Sequence, residues 1–184
     1  DCDEADIYNL FFDSDLTAEF EEGKVSPQEF FLKVKERLGI RLEYNEFLAV
    51  WNEIFFVTDD NSRVHSLAIS LKSKYSLAML TNINCLHFNY IKEHYSILPD
   101  FSRVFTSFEL KLKKPDPAIY KKVIDLLGNK PQEIFYTDDR PELIDVAKSL
   151  GMRAFIFKDF LQLKRDLLQA GIEPQPESSL LVSQ

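Results

Sequence analysis

The sequence predicts an α/β protein: a doubly wound, Rossmann-like parallel sheet preceded by a small all-helical module. Two observations predict it. Helical periodicity fills the first third of the chain, and from about residue 60 amphipathic segments alternate with short apolar runs. The apolar runs also end in polar residues, as SLAML does in Thr81-Asn82 and IFYT in Asp138-Asp139, which is where doubly wound sheets place their ligands.

The elements follow in order. Ile7, Leu10, Phe11 and then Phe20 fit apolar helix faces. Ser26-Pro27-Gln28-Glu29 combines an N-cap, a proline at the first helical position and a glutamate, opening a helix through Phe30, Phe31, Val34 and Leu38 that stops at Gly39. Glu43 to Phe56 is amphipathic, with Phe47, Val50, Trp51 and Ile54 expected on one side. Arg63 to Lys74 predicts a helix, Tyr75 to Leu80 a strand, Asn84 to His94 a helix and Val104-Phe105 a strand. Pro117 to Leu127, Pro141 to Leu150 and Leu161 to Gln169 predict helices; Ile134 to Thr137 and Ala154 to Phe157 predict strands. The expected division is a helical module over 1–60, an α/β core over 61–170 and a loose tail over 171–184, which holds two prolines and many polar residues.

Composition narrows the function classes. A chain of 184 residues with 45% hydrophobic and 28% charged residues is ordinary for a globular protein, and sixteen Phe with seven Tyr supply a large core. The net charge of −8 offers no footprint for nucleic acid, so an anionic substrate needs a local cation or a metal. Cys2 and Cys85 are too far apart in sequence to suggest a disulfide framework or a metal motif. No apolar run reaches membrane-spanning length, and the expectation is a cytoplasmic protein with no membrane partner. The oligomeric state is not set by the sequence.

Three strand ends carry chemistry: Thr81-Asn82, Lys113-Lys114 and Asp138-Asp139. A hydroxyl with backbone amides can hold phosphoryl oxygens, an ammonium can neutralise them, and carboxylates can hold Mg²⁺. Each piece alone reads as ordinary turn, loop or helix-cap chemistry. In this order at successive strand ends they read as a phosphate site. Ile54-Phe-Phe-Val-Thr-Asp-Asp60 nearly repeats the IFYTDD string, but it closes the helical module, so Asp59 and Asp60 are read as linker and N-cap. His65, His87 and His94 lack ligand spacing, and Cys85 is read as a buried thiol.

At these residues the chain resembles the haloacid dehalogenase-like hydrolases, and within them bacterial sugar-phosphate phosphatases similar to glucose-1-phosphate phosphatase. LAMLTNIN resembles the second family motif, with Thr81 and Asn82 at the phosphate; KLKKPDPAIY resembles the third, with Lys114 as the motif lysine. IFYTDDRPE resembles the fourth, with Asp139 as the metal ligand and Asp138 supporting it. The helical first third, with FEEGKVSPQEF, resembles the family's cap; Glu22 and Lys24 sit near one of its turns. The resemblance implies Mg²⁺-dependent hydrolysis of a small phosphorylated metabolite through an aspartyl-phosphate, with Thr81 and Lys114 in the catalytic machinery.

Two departures stand out. Leu143 occupies a position where many members carry Asn or Asp, and Asp145 is displaced from it. The first motif, a strand ending in Asp-x-Asp that by resemblance carries the nucleophile, is expected to be absent: Asp1-Cys2-Asp3 imitates it without a preceding apolar strand. The chain is therefore expected to be part of a longer protein, lacking about one central strand. Without that strand its neighbours would bury unpaired backbone groups at roughly 1–3 kcal/mol each. Competing readings are a non-catalytic binding or regulatory protein, a phosphoacceptor signalling domain and a dehalogenase. In the signalling domain the acid pair precedes Thr and Lys, unlike here; dehalogenases act without metal, which leaves the acid pair unexplained.

Overall fold

The computed structural model describes residues 8–9 and 14–174. Ile7, Leu10, Phe11, the Asp1-Cys2-Asp3 triplet and most of the tail lie outside them. The described residues group into two compact units. The first takes in the N-terminal residues to Phe56 together with 80–96 and 105–113; the second takes in 57–79, 97–104 and the chain from Lys114 onward.

In the first unit, helix α1 (Asp15–Glu21) is capped by the Ser14 hydroxyl, which accepts the Thr17 amide at 3.3 Å. Helix α2 (Pro27–Leu38) opens on the expected capping box. Ser26 Oγ accepts from the Glu29 amide at 3.3 Å, and Glu29 Oε2 accepts from the Ser26 amide at 2.9 Å. It ends at Gly39 in the left-handed region, φ 62°. Helix α3 (Tyr44–Asn52) is shorter than its sequence pattern predicts. Phe47 and Trp51, one turn apart, are buried, whereas Val50 and Ile54 are 55% and 54% exposed, so the apolar face is narrower than expected. The three helices enclose Phe20, Phe30, Val34, Phe47 and Trp51. Phe20 stacks on Phe30 at 4.2 Å, and Trp51 meets Phe30 edge-on at 4.8 Å. Cys85 and Leu86, in the first turn of helix α4 (Cys85–His94), pack on the same cluster.

One buried histidine ties this unit together. His87 Nε2–H donates to the Trp51 carbonyl at 2.9 Å, and Nδ1 lies 3.1 Å from the Asn84 side-chain amide. Asn84 caps α4 by accepting the His87 amide at 3.0 Å, which turns its NH₂ toward Nδ1 and leaves the ring neutral. Burial, with the Trp51 carbonyl opposing it, lowers the His87 pKa to about 4.

In the second unit, helix α5 (Asp59–Leu71) starts four residues before the expected Arg63. The cap is Thr58, boxed with Asn61, not the aspartates. Asp59 and Asp60 fall in the first turn, where the helix dipole favours acids. Leu67 and Leu71 pack with Leu163 and Leu167 of helix α6 (Phe160–Gln169) and with Phe135. Strand β1 (Ala78–Thr81) lies beside β2 (Arg103–Thr106), and the division of the chain runs through this pair. Strand β3 (Phe135–Asp138) runs parallel to β4 (Arg153–Ile156), with Phe135 opposite Arg153 and Asp138 opposite Ile156. Helix α7 (Pro117–Leu127) precedes β3, and helix α8 (Pro141–Ser149) makes the β3-to-β4 crossover that a parallel pair requires. Among the described residues the strands form two separate pairs, β1–β2 and β3–β4.

Two measurements test this packing. Thr137 Oγ1 in β3 is buried without a hydrogen-bond partner among the described residues. Thr137→Val removes that stranded hydroxyl at nearly constant shape, and urea unfolding is expected to show a gain of about 1 kcal/mol. For His87 the folded pKa of about 4 lies below the usual unfolded value of about 6.5. The unfolded chain then binds more protons across that window, so the stability from neutral His87 is complete above about pH 6.5 and is lost as pH falls toward 4. Unfolding free energies should drop by up to about 3 kcal/mol across it, and His87→Gln should abolish that part of the slope.

Candidate functional site

The first unit holds the Thr81 loop. Thr81 closes β1, and its hydroxyl donates to the Asn82 carbonyl in a long 3.4 Å bond, weak enough for a stronger acceptor to replace. Directly after Asn82 the Ile83 amide donates to Ser107 Oγ at 2.9 Å, and Asn84 caps α4. The loop is thus pinned at its downstream end, while Thr81 and Asn82 sit between a strand end and a helix start, where backbone amides favour anions. In the same unit Lys24 pairs with Glu22 in the turn after α1.

The second unit holds the charged cluster. Lys114 lies just upstream of α7, whose N-cap is Asp116. The Lys114 ammonium is 8% exposed and donates to Asp138 Oδ2 at 2.6 Å. Tyr136, two residues before Asp138 on the same strand face, donates its phenol to that same oxygen at 2.8 Å. Tyr120 of α7 meets the Tyr136 ring edge-on at 5.8 Å and donates to the Leu143 carbonyl at 3.2 Å. Lys113 is the more accessible of the two adjacent lysines, so the structure separates the pair by burial.

Electrostatics follow from this geometry. Burial opposes ionisation of Asp138, but the hydrogen bond and charge of Lys114, helped by Tyr136, hold its carboxyl below the usual carboxylate range. Burial first, and then the charged Asp138, push the Tyr136 phenol far above its ordinary value, so it remains a donor. Burial likewise pushes Tyr120 up to about 12.

Asp139 is exposed, and no hydrogen bond or ion pair engages its carboxylate among the described residues. Leu143 is core and Asp145 is exposed. Among the described residues no three His, Cys, Asp or Glu side chains cluster as metal ligands. With Asp138 Oδ2 held by two donors, the described residues do not form a metal centre by themselves; Asp139 is the carboxylate of the pair with open oxygens. Sequence reading misses Tyr136 because IFYT reads as an apolar run, and misses Tyr120 because it falls within the amphipathic pattern of α7. The period-two alternation that sets Tyr136 on the face of Asp138 was the available signal.

The ion pair predicts an asymmetry. Asp138→Asn leaves a buried ammonium without its counter-charge, and urea unfolding should show a loss of about 3 kcal/mol. Replacing both partners together, Lys114→Met with Asp138→Leu, should recover most of that loss.

The sequence matches the family model for haloacid dehalogenase-like hydrolases over residues 53–151, more than half of the chain. Sesquiterpene phosphatase astK of Aspergillus oryzae is 26% identical over 157 residues, 85% of this chain and 79% of that protein. D-ribitol-5-phosphate phosphatase of Bacteroides thetaiotaomicron is 26% identical over 148 residues, 74% of this chain and 68% of that protein. A HAD-family enzyme of Bacteroides thetaiotaomicron, solved as a magnesium complex, has a TM-score of 0.76 at 25% identity over 89% of this chain and 91% of its own. By family model, relatives and fold alike, the chain belongs to the haloacid dehalogenase-like hydrolases.

Proposed function

We propose that this protein hydrolyses phosphomonoesters of small molecules, with small sugar phosphates as the substrate class. The observation that carries the reading is the buried Lys114 ammonium, which donates to Asp138 Oδ2 at the end of β3 while Tyr136 holds the same oxygen. A lysine costs free energy to bury, and an ammonium aimed by two oxygen-bearing side chains is suited to a phosphoryl group. The relatives that are phosphatases support the reaction class, and the ribitol-phosphate enzyme supports the sugar-phosphate class.

In this reading Thr81 and the Asn82 loop hold phosphoryl oxygens, and Lys114 neutralises their charge as negative charge moves toward the leaving oxygen. Asp138 and Tyr136 keep the ammonium oriented. An aspartate outside the described residues attacks phosphorus, and water then cleaves the aspartyl-phosphate. Asp139, with Asp138 behind it, would hold Mg²⁺, which would offset the charge on the phosphoryl oxygens. The magnesium complex of the structural relative supports magnesium as the metal.

The test is phosphate release by the protein with its native N-terminus, across sugar, prenyl and nucleotide monophosphates, with Mg²⁺ and with chelator. Hydrolysis that needs Mg²⁺ is expected, and Thr81→Ala and Lys114→Ala should each lower kcat/KM by about 10²–10³. Binding of phosphate without turnover by the full-length protein would shift the reading to a non-catalytic binding protein.

A further inference from the structure

Ser107 is fully buried and lies outside every motif assigned above. Its Oγ accepts the Ile83 amide at 2.9 Å and donates to the Glu21 carbonyl at 2.6 Å, with the Ile83 carbonyl a second acceptor at 3.1 Å. One oxygen therefore joins the end of the Thr81–Asn82 loop to the last turn of α1. Four residues on, Lys111 Nζ donates to the Gly23 carbonyl at 2.6 Å. Gly23 adopts φ +62°, and a Cβ there would stand 2.5 Å from the Phe108 carbonyl, so the turn lies against the backbone of residues 107–111. The segment from Ser107 to Lys111 thus bonds the turn after α1 at two carbonyls, lies against its glycine, and bonds the loop at Ile83.

We propose that Ser107 is a positioning residue that couples the cap turn Glu21–Lys24 to the Thr81–Asn82 loop, so that ordering either one orders the other. The consequence for phosphate rests on the reading of Thr81 and Asn82 given above. With the coupling intact, the loop presents its hydroxyl and amides in one arrangement, and the turn bearing Lys24 and Glu22 keeps a fixed approach to it. Ser107→Ala strands the Ile83 amide and the Glu21 carbonyl in a dry site. Lys111→Met loosens the turn from its exposed side and leaves Ser107 in place.

The experiment is amide hydrogen exchange of the full-length protein and both variants, with inorganic phosphate binding measured by calorimetry. Both variants should exchange several-fold faster at residues 21–24 and, together with them, at 82–84. Phosphate should bind roughly tenfold more weakly to Ser107→Ala, the worth of about one hydrogen bond. Lys111→Met should keep the wild-type melting temperature, and it alone decides the coupling should Ser107→Ala fail to fold. Faster exchange confined to 21–24 with 82–84 at wild-type rates would overturn the proposal. Wild-type protein that binds no phosphate would remove the phosphate reading, while the exchange rates would still support or overturn the coupling.

Discussion

A buried ammonium sets the terms for the second unit. Water solvates a lysine head far better than protein does, so Lys114 at 8% exposure requires an anion in contact. Asp138 supplies it from the end of β3, and that requirement fixes where the loop after Lys113 meets the strand. Tyr136 reaches the same carboxylate oxygen, Tyr120 braces the Tyr136 ring from α7, and the Tyr120 phenol closes onto the Leu143 carbonyl of α8. One charge pair thus links a loop, a strand and two helices. The same contacts that make the pair tolerable hold the ammonium still, and an immobile cation is what phosphoryl chemistry asks of a lysine.

In the first unit the constraint is polar satisfaction of a loop. The segment from Thr81 to Asn84 leaves a strand and enters a helix, and its backbone groups need partners that neither element provides. Ser107 serves Ile83, and Asn84 with His87 serves the start of α4 while reaching the Trp51 carbonyl at the end of α3. The aromatic cluster of α1, α2 and α3 then packs against Cys85 and Leu86 of that same helix. The N-terminal helices and the first turn of α4 therefore share one core in this unit.

Placing the chain among the haloacid dehalogenase-like hydrolases narrows the chemistry without choosing the substrate. The relatives carry names for a sesquiterpene phosphatase and a ribitol-phosphate phosphatase at the same identity, 26% in each case. What they share is a phosphoryl group, and what differs is the leaving group, which a cap can select through shape and a few polar contacts. The engagement of Asp138 by Lys114 and Tyr136 separates two adjacent acids that a motif treats as a pair: one is spent on orienting a cation, and the other stays open to solvent.

The sequence by itself determined the α/β class, the α2 capping box, the helix that begins at Pro117 and the four strand positions to within a few residues. These are local properties, readable from periodicity and cap chemistry. Resemblance also singles out Lys114, the lysine before proline, and of the two adjacent lysines Lys114 is the buried one. Only the tertiary structure decided that Val50 and Ile54 face outward, that Thr58 caps α5 in place of the aspartates, and that Tyr136 belongs to the charged cluster. It alone revealed Ser107, whose partners lie 24 and 86 positions away along the chain. The physical reason is range. Periodicity and capping act over a few residues, whereas burial of a hydroxyl or a charge depends on which distant segments close around it.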